Sequence, residues 1–160
     1  MGDRLVSAAR FAEGTQFIAG QRRNGTSGKS HEVVNPATGE PVVRYELAGE
    51  DDVDAAVAAA KAALPGWAGA TPGERSEALT RLAGILAERA EEFARTETLQ
   101  CGKPIKLSTE FDVPGTVDNT AFFAGAARNL EGRATAEYSP DHTSSIRREP
   151  IGVIGSGAPW

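Results

Sequence analysis

The sequence is poor in metal-binding and redox residues, with one cysteine and two histidines among its 160 residues. A lone thiol, Cys101, excludes an internal disulfide and is typical of a reducing compartment, so we expect a cytoplasmic protein. His31 and His142, both in predicted loops, lack the spacing of a metal site, and we predict no metal. No apolar run approaches membrane-spanning length, and the first residues lack a signal-peptide core. We therefore expect no membrane partner.

Positive charge is also scarce. The chain has 17 lysines and arginines against 22 aspartates and glutamates, which gives a formal charge of −5. This balance excludes a basic surface for phosphate backbones, so we expect no nucleic-acid partner. A hydrophobic content of 40% with 24% charged residues is typical of a globular chain rather than a disordered one. The length suits one domain or part of a larger one.

The segment up to residue 50 predicts a small antiparallel β unit that follows a loose terminus at residues 1–15. Strands are expected at residues 17–23, 32–34 and 42–47, and the loop at 24–30 is rich in glycine and serine. Residues 35–39 predict a turn, because Pro36 presets its second position and Gly39 accepts a positive φ.

Helices are predicted to follow this unit. The first has apolar residues at helical spacing and acidic residues in its first turn, where the helix dipole favours negative charge. We expect Pro65 and Gly66 to end it. Its apolar face contains Val53, Val57, Ala60 and Leu64, and its acidic residues are Asp51, Asp52 and Asp54.

The second helix has the clearest start signal in the chain. Thr71 can cap it, Pro72 suits the first helical position, and Glu74 completes a capping box. We expect it to run to about Gln100, where Gly102 and the residues after it stop it. Its predicted buried stripe consists of Leu79, Leu82, Leu86 and Phe93.

The rest of the chain predicts helix and then strand. A short helical piece is expected over residues 105–111, and a new helix from Pro114 to near Gly132. One face of that helix carries Val117, Ala121, Ala124 and Leu130, and the aromatic residues predicted to be buried are Trp67, Phe93, Phe122 and Phe123. Residues 133–138 and 143–148 predict two exposed strands.

The last stretch combines an apolar run with glycines. Ile151, Val153 and Ile154 predict a strand buried on both faces, as in a parallel sheet. Gly155 and Gly157 follow, and ligands bind at the carboxyl ends of such strands. The pattern holds only the first part of a G-x-G-x-x-G fingerprint, and by itself it favours a turn without a ligand.

The segment RREPIGVIGSGAPW closely resembles the aldehyde dehydrogenase superfamily, and the resemblance runs over residues 17–160. The segments NPATGE, CGKP, FFAGAARNLEG and HTSSIRREPIGV are most similar to bacterial γ-aminobutyraldehyde and betaine aldehyde dehydrogenases. The resemblance implies an α/β fold of which this chain is the truncated amino-terminal part. Residues 16–132 would begin the cofactor-binding domain, 133–149 would form an oligomerisation β ribbon, and 150–160 the first strand and turn of the NAD-binding sheet.

The resemblance also implies a chemistry, the oxidation of a small aldehyde to a carboxylic acid with NAD, by a homo-oligomer. In the family a cysteine thiolate attacks the aldehyde, hydride passes to the nicotinamide, and a glutamate-activated water hydrolyses the thioester. Those residues lie after Trp160 in the family, so we expect no catalytic residue here. The cofactor path would be lined by Gly157, Ala158, Pro159 and Trp160, although Gly157 stands where a larger aliphatic residue is usual.

Three further residues bear on function. Cys101 lies near the carboxyl end of a predicted helix, where the dipole opposes a thiolate, and we reject it as the nucleophile. The position of Asp112 and Asp118 at the start of a predicted helix favours an interaction with the helix dipole. The resemblance adds that, in plant relatives that oxidise aminoaldehydes, an acidic residue matching Asp112 faces the substrate ammonium. Gln100 replaces an aspartate that binds a structural cation in several betaine aldehyde dehydrogenases, so we expect no side-chain cation site.

Two functions follow from these observations. The first is an inactive amino-terminal fragment of an NAD-dependent aldehyde dehydrogenase, with 4-aminobutanal or another aminoaldehyde as the candidate substrate. The second is a non-catalytic interaction module, or a decayed gene product, that pairs with full-length subunits. The end of the chain inside a structural motif favours the first.

Overall fold

The structure, a computed structural model, describes residues 16–158, apart from the side chains of Ala134 and Tyr138. The predicted loose terminus at residues 1–15, and the predicted cofactor residues Pro159 and Trp160, lie outside the described residues. The strands are β1 (Gln16–Ile18), β2 (Gln21–Arg23), β3 (Ser30–Val34), β4 (Pro41–Glu46), β5 (Arg133–Ser139) and β6 (His142–Ile146). The helices are α1 (Glu50–Gly69), α2 (Pro72–Glu88), α3 (Ala90–Cys101), α4 (Ile105–Leu107) and α5 (Val113–Ala126).

A tight hairpin replaces the single strand predicted over residues 17–23. β1 and β2 pair antiparallel, with Ile18 opposite Gln21. The chain reverses at Ala19 and Gly20, whose φ angles are 52° and 80°. Positive φ at both central positions suits the right-handed twist of a two-residue hairpin. The prediction was wrong because Ala19 gives no sign in the sequence of a positive φ.

The β3–β4 hairpin confirms the predicted turn. The Gly39 amide donates to the Asn35 carbonyl at 2.8 Å, and the Ala37 amide donates to Asn35 Oδ1 at 2.9 Å. Gly39 has a φ of 76°, a left-handed backbone conformation that glycine adopts at little energetic cost. His31 lies in β3, with its ring 5.7 Å from that of Tyr45, and not in a loop as predicted.

Asp52 connects the β unit to α1, a role that the sequence did not indicate. It is only 3% exposed. Its Oδ2 accepts hydrogen bonds from the Gly49 amide at 2.9 Å, and from the Thr26 amide and hydroxyl at 2.8 Å each. The Gln16 side chain donates at 3.4 Å. These bonds, the one from the Gly49 backbone first, lower the pKa of Asp52 to about 2.

Helix α1 continues through Pro65 to Gly69, so the predicted end at Pro65 and Gly66 was wrong. A proline inside a helix removes one backbone hydrogen bond, to the carbonyl four residues earlier. Here that carbonyl belongs to Lys61, an exposed residue, so water can take the place of the missing donor. The helix ends where the Ala70 amide bonds the Trp67 carbonyl at 3.2 Å.

Helix α2 begins as predicted. The Glu74 amide donates to Thr71 Oγ1 at 3.3 Å, and the Thr71 amide donates to Glu74 Oε2 at 2.6 Å, which completes the capping box. The helix does not reach Gln100, because the backbone leaves helical geometry at Arg89 (φ −105°, ψ 17°) and α3 starts at Ala90. Residue 89 carries no glycine or proline signal, so the break could not be predicted from composition.

From Ile105 to Asn129 the chain is helical without interruption. A π-helical segment over Ser108–Asp112 joins α4 to α5, and a 3₁₀ turn over Ala127–Asn129 follows. The new start predicted at Pro114 was wrong. The Val113 amide bonds the Ser108 carbonyl five residues back, and Pro114 has no amide hydrogen that would need a partner.

The helical core is built from small residues. Apart from Asp52, the most buried helical residues are Ser108 at 0%, Ala94 at 1%, Ala124 at 4%, and Ala83 and Ser76 at 7%, and α2 packs on α5. Small side chains let helices approach closely, so larger neighbours lie outside the contact. The predicted burial was therefore wrong for the large residues, of which Trp67 is 53%, Phe93 39%, Phe122 66%, Phe123 58%, Leu82 46% and Leu130 67% exposed.

The structure contains the two exposed strands predicted before residue 150 but not the strand predicted after it. β5 and β6 pair antiparallel, with Ser139 opposite His142, which confirms the predicted strand pair and places His142 in a strand, not in a loop as predicted. The strand predicted at Ile151 to Ile154 was wrong: these residues form no strand, and Ile151 is 89% exposed. The three sheets of the described residues are two-stranded and antiparallel, so none offers a parallel neighbour.

Candidate functional site

The candidate cofactor segment, residues 150–158, leaves the β5–β6 ribbon as an exposed chain. Arg148 Nε bonds the Glu131 carbonyl at 2.8 Å, which fixes the start of the segment. A Cβ added at Gly155 or Gly157 would meet nothing within 4 Å. The backbone is therefore open to a ligand here. Two of the four predicted cofactor residues, Gly157 and Ala158, lie in this segment.

Asp112 lies at the end of the π-helical segment and is held by a lysine. Its Oδ2 is 2.6 Å from Lys103 Nζ, and Glu97 is 3.7 Å from the same ammonium. Both side chains of the shorter pair are about one-third exposed, at 32% and 40%. The hydrogen bond to Asp112 is the main cause that raises the pKa of Lys103. The candidate substrate carboxylate thus has a built-in counter-ion.

The charge of Asp112 is therefore partly neutralised by a lysine that it shares with Glu97. Glu110 lies 4.0 Å from Lys106, a second carboxylate with a basic partner. Sequence reasoning missed the role of Lys103, although it stands inside the CGKP segment that carried part of the resemblance. Lys103 lies in the turn after α3, and this turn brings it against Asp112 in the π-helical segment. The two residues are nine positions apart, a spacing that no helix or strand period would indicate.

Cys101 is exposed at the end of α3. The pKa of its thiol is raised, first by partial desolvation at the helix end and then by the negative charge of Glu97, while Lys103 acts in the opposite direction. A raised pKa leaves the thiol protonated and weakly nucleophilic. This electrostatic setting agrees with its rejection as the nucleophile.

Two hydroxyls near Asp112 are buried without a hydrogen-bond partner in the described part of the chain: Ser108 Oγ and Thr98 Oγ1. Ser108 is 0% exposed. They belong to the π-helical segment and to α3, which pack together. Within residues 16–158, no three histidine, cysteine or acidic side chains are grouped closely enough to hold a metal ion. Over the same residues no helix has both the length and the apolar character that a membrane crossing requires.

The aldehyde dehydrogenase family matches residues 23–160, and the chain belongs to this family. Among the curated relatives, it is 40% identical over 148 residues to a 2-hydroxymuconic semialdehyde dehydrogenase from Pseudomonas sp. (strain CF600). That alignment covers 90% of this chain and 30% of the relative. The chain therefore spans about one-third of the length of the curated relative it matches.

Solved structures give the same assignment. PnpE in complex with nicotinamide adenine dinucleotide superposes with a TM-score of 0.81 at 34% identity, over 87% of this chain and 28% of PnpE. A γ-glutamyl-γ-aminobutyraldehyde dehydrogenase from Burkholderia cenocepacia J2315 superposes with a TM-score of 0.74 at 37% identity, over 82% and 27%. These likenesses confirm the predicted fold class, the amino-terminal part of the α/β aldehyde dehydrogenase fold.

Proposed function

We propose that this chain is the amino-terminal part of an NAD-dependent enzyme that oxidises an aldehyde to its carboxylic acid. The observation that carries the proposal is the combined match of sequence and shape: the family covers residues 23–160, and the fold superposes on an enzyme solved with the dinucleotide. The share of the relatives that the chain covers, close to 30%, supports the proposal that the chain corresponds to part of such an enzyme.

For the cofactor, we place NAD along residues 157–160. The open backbone at Gly155 and Gly157 supports this placement, because main-chain amides there can approach a ligand without a side chain between them. Bound NAD supplies the hydride acceptor. Gly157 adds no side chain to hold the ligand, so the affinity depends on the rest of the site.

For catalysis, we propose that these residues bind and position but hold no nucleophile. The single cysteine is Cys101, and the raised pKa of its thiol opposes attack on an aldehyde carbon. The 160-residue chain alone is then inactive. Its lone thiol also supports the proposed cytoplasmic location.

For the substrate, we propose an aminoaldehyde such as 4-aminobutanal, whose ammonium contacts Asp112. Lys103 Nζ already lies 2.6 Å from Asp112 Oδ2, so the substrate ammonium either competes with this lysine or binds the other carboxylate oxygen. The Asp112 side chain is 40% exposed, but its Oδ2 is itself buried, so a second donor has to reach Oδ1. The similarity to a γ-glutamyl-γ-aminobutyraldehyde dehydrogenase from Burkholderia cenocepacia J2315 is in keeping with such a substrate.

The test is a graft in which residues 16–160 replace the segment of PnpE that superposes on them. We expect NADH formation from aldehydes. In the graft, Asp112→Asn should raise KM for 4-aminobutanal about tenfold, because a charge-assisted bond is lost. Butanal, which has no ammonium, is the matched control and should keep its KM. Equal changes for both aldehydes would contradict the substrate proposal while leaving the aldehyde oxidation intact.

The exposed β5–β6 ribbon favours a second candidate function, which is to join subunits. Every residue of β6 is exposed, and Ile146 is 57% exposed although it is apolar. A strand with such an edge pairs readily with another chain. We propose that residues 133–149 join subunits, which suits both a homo-oligomeric enzyme and a non-catalytic module that pairs with full-length subunits. Sedimentation of the chain mixed with a full-length relative separates these two functions. A non-catalytic module is expected to form a mixed oligomer in which the relative keeps its activity.

A further inference from the structure

The loop between β2 and β3 contains an asparagine followed by a glycine. The chain has four asparagines, and only Asn24 precedes a glycine. This pairing is chemically special because the amide nitrogen of the next residue can attack the asparagine side-chain carbonyl. A glycine in that place has no side chain to obstruct the attack.

The other three asparagines are protected by their surroundings. Asn35 precedes Pro36, whose nitrogen carries no hydrogen and cannot form the ring. Asn119 lies in α5 and Asn129 in the 3₁₀ turn, and their side-chain amides donate to the Gly115 and Gly125 carbonyls at 2.9 and 3.2 Å. Helical backbone and an engaged side chain both hinder ring closure. Asn24, by contrast, is exposed and lies outside both neighbouring strands.

We propose that Asn24 is a site of spontaneous deamidation in this protein. The Gly25 nitrogen forms a bond to Asn24 Cγ and loses its proton, and the C–N bond of the side-chain amide breaks to release ammonia. Water then opens the five-membered imide at one of its two carbonyls. The products are aspartate, or isoaspartate in which the main chain runs through Cγ. No oxidant or reductant takes part.

The consequence for the fold follows from the contacts of the next residues. Gly25 lies so close to Leu47 that an added Cβ would collide with the Leu47 carbonyl. Thr26 donates two hydrogen bonds to Asp52, and Ser27 donates two to the Leu47 carbonyl, at 3.2 Å from its amide and 2.7 Å from its hydroxyl. Isoaspartate lengthens the main chain by one carbon directly before this tightly held stretch. We infer that the modification loosens the loop from Asp52 and Leu47.

The experiment is an ageing series on the purified chain at mildly acidic and mildly alkaline pH, followed by peptide mass spectrometry. Attack requires a deprotonated Gly25 amide, so modification should be faster at alkaline pH. We expect the mass gain of an amide-to-acid exchange, with isoaspartate at position 24, before any change at Asn35, Asn119 or Asn129. Aged protein should also melt at a lower temperature than fresh protein.

The matched variant is Asn24→Gln, which keeps the amide but would need a larger and slower-forming ring. It should show neither the mass gain nor the loss in melting temperature, and Asn24→Ser serves the same purpose if the first variant folds poorly. A native chain that stays unmodified at Asn24 while the unfolded chain reacts would overturn the proposal, because the folded loop would then protect the site. Modification without a lower melting temperature would overturn the loosening of the loop.

Discussion

Pro36 and Gly102 lie against each other: a Cβ added to Gly102 would come within 2.6 Å of Pro36 Cγ. One residue belongs to the turn between β3 and β4, and the other ends α3 with a φ of 71°. The Gly102 amide bonds the Thr98 carbonyl at 2.9 Å. This contact fixes the β unit to the end of α3, next to Lys103 and the candidate substrate carboxylate.

Gly102→Ala should therefore destabilise the fold. The left-handed backbone alone costs an alanine about 1–2 kcal/mol, and the collision with Pro36 adds to it. We expect a lower urea midpoint with an unchanged slope.

Gly84→Ala is the matched control for this change. Gly84 lies inside α2, and its added Cβ would meet nothing within 4 Å. Alanine is favoured over glycine in a helix by about 1 kcal/mol, so this variant should be more stable than the parent. A destabilising Gly84→Ala, or a neutral Gly102→Ala, would contradict the account of the contact.

Asp52 gives a pH-dependent prediction. Its pKa is lowered from 3.8 to about 2, so its hydrogen bonds contribute fully above about pH 4 and are lost as the pH falls towards about 2. Asp52→Asn should lower the melting temperature near neutral pH, and the difference from the parent should shrink as the pH falls through this window.

Asp54→Asn is the control for the Asp52 substitution, since Asp54 is an exposed residue of the same helix. It should change the melting temperature little at any pH. If the two variants lose the same stability, the effect belongs to helix charge and not to the bonds that Asp52 makes with Thr26 and Gly49.

The start of α2 gives a third prediction. Thr71→Ala removes the hydroxyl that accepts from the Glu74 amide, and loss of such a cap costs about 1 kcal/mol. Thr116→Ala removes a hydroxyl that only bonds the Asp112 carbonyl within a helix, so it should cost less. Chemical denaturation of both variants measures the difference, and a larger loss for Thr116→Ala would contradict the capping assignment.

Cys101 gives a fourth prediction. In the PnpE graft, Cys101→Ser should leave kcat for NADH formation unchanged, because an exposed thiol whose pKa is raised takes no part in the attack. A loss of several orders of magnitude in kcat, with normal folding, would identify Cys101 as the nucleophile and overturn its rejection.

Local signals in the sequence predicted the local structure well. The Thr71 and Glu74 capping box, the turn ended by Gly39 and the stop at Gly102 are each specified by a few neighbouring residues, and all three were confirmed. Helix interruptions were predicted less well. Arg89 breaks a helix without a breaker residue, and α1 continues through Pro65 to Gly69.

Burial was predicted less well than helix position. The expectation that Phe122, Phe123 and Trp67 form the core assumed that the largest apolar side chains lie inside, but alanines mediate the helix contacts here. For the candidate site, the sequence indicated Asp112 and the glycines at 155 and 157. It did not indicate that Lys103 pairs with Asp112, because nothing local connects a turn residue to a carboxylate nine positions later.

The most direct test of the central claim is NADH formation from an aldehyde, followed in parallel for the purified 160-residue chain and for the PnpE graft. We expect turnover by the graft and none by the chain alone, since we propose that the chain supplies part of the cofactor site but no nucleophile. Turnover by the chain alone, or a folded graft that never reduces NAD with any aldehyde, would contradict it.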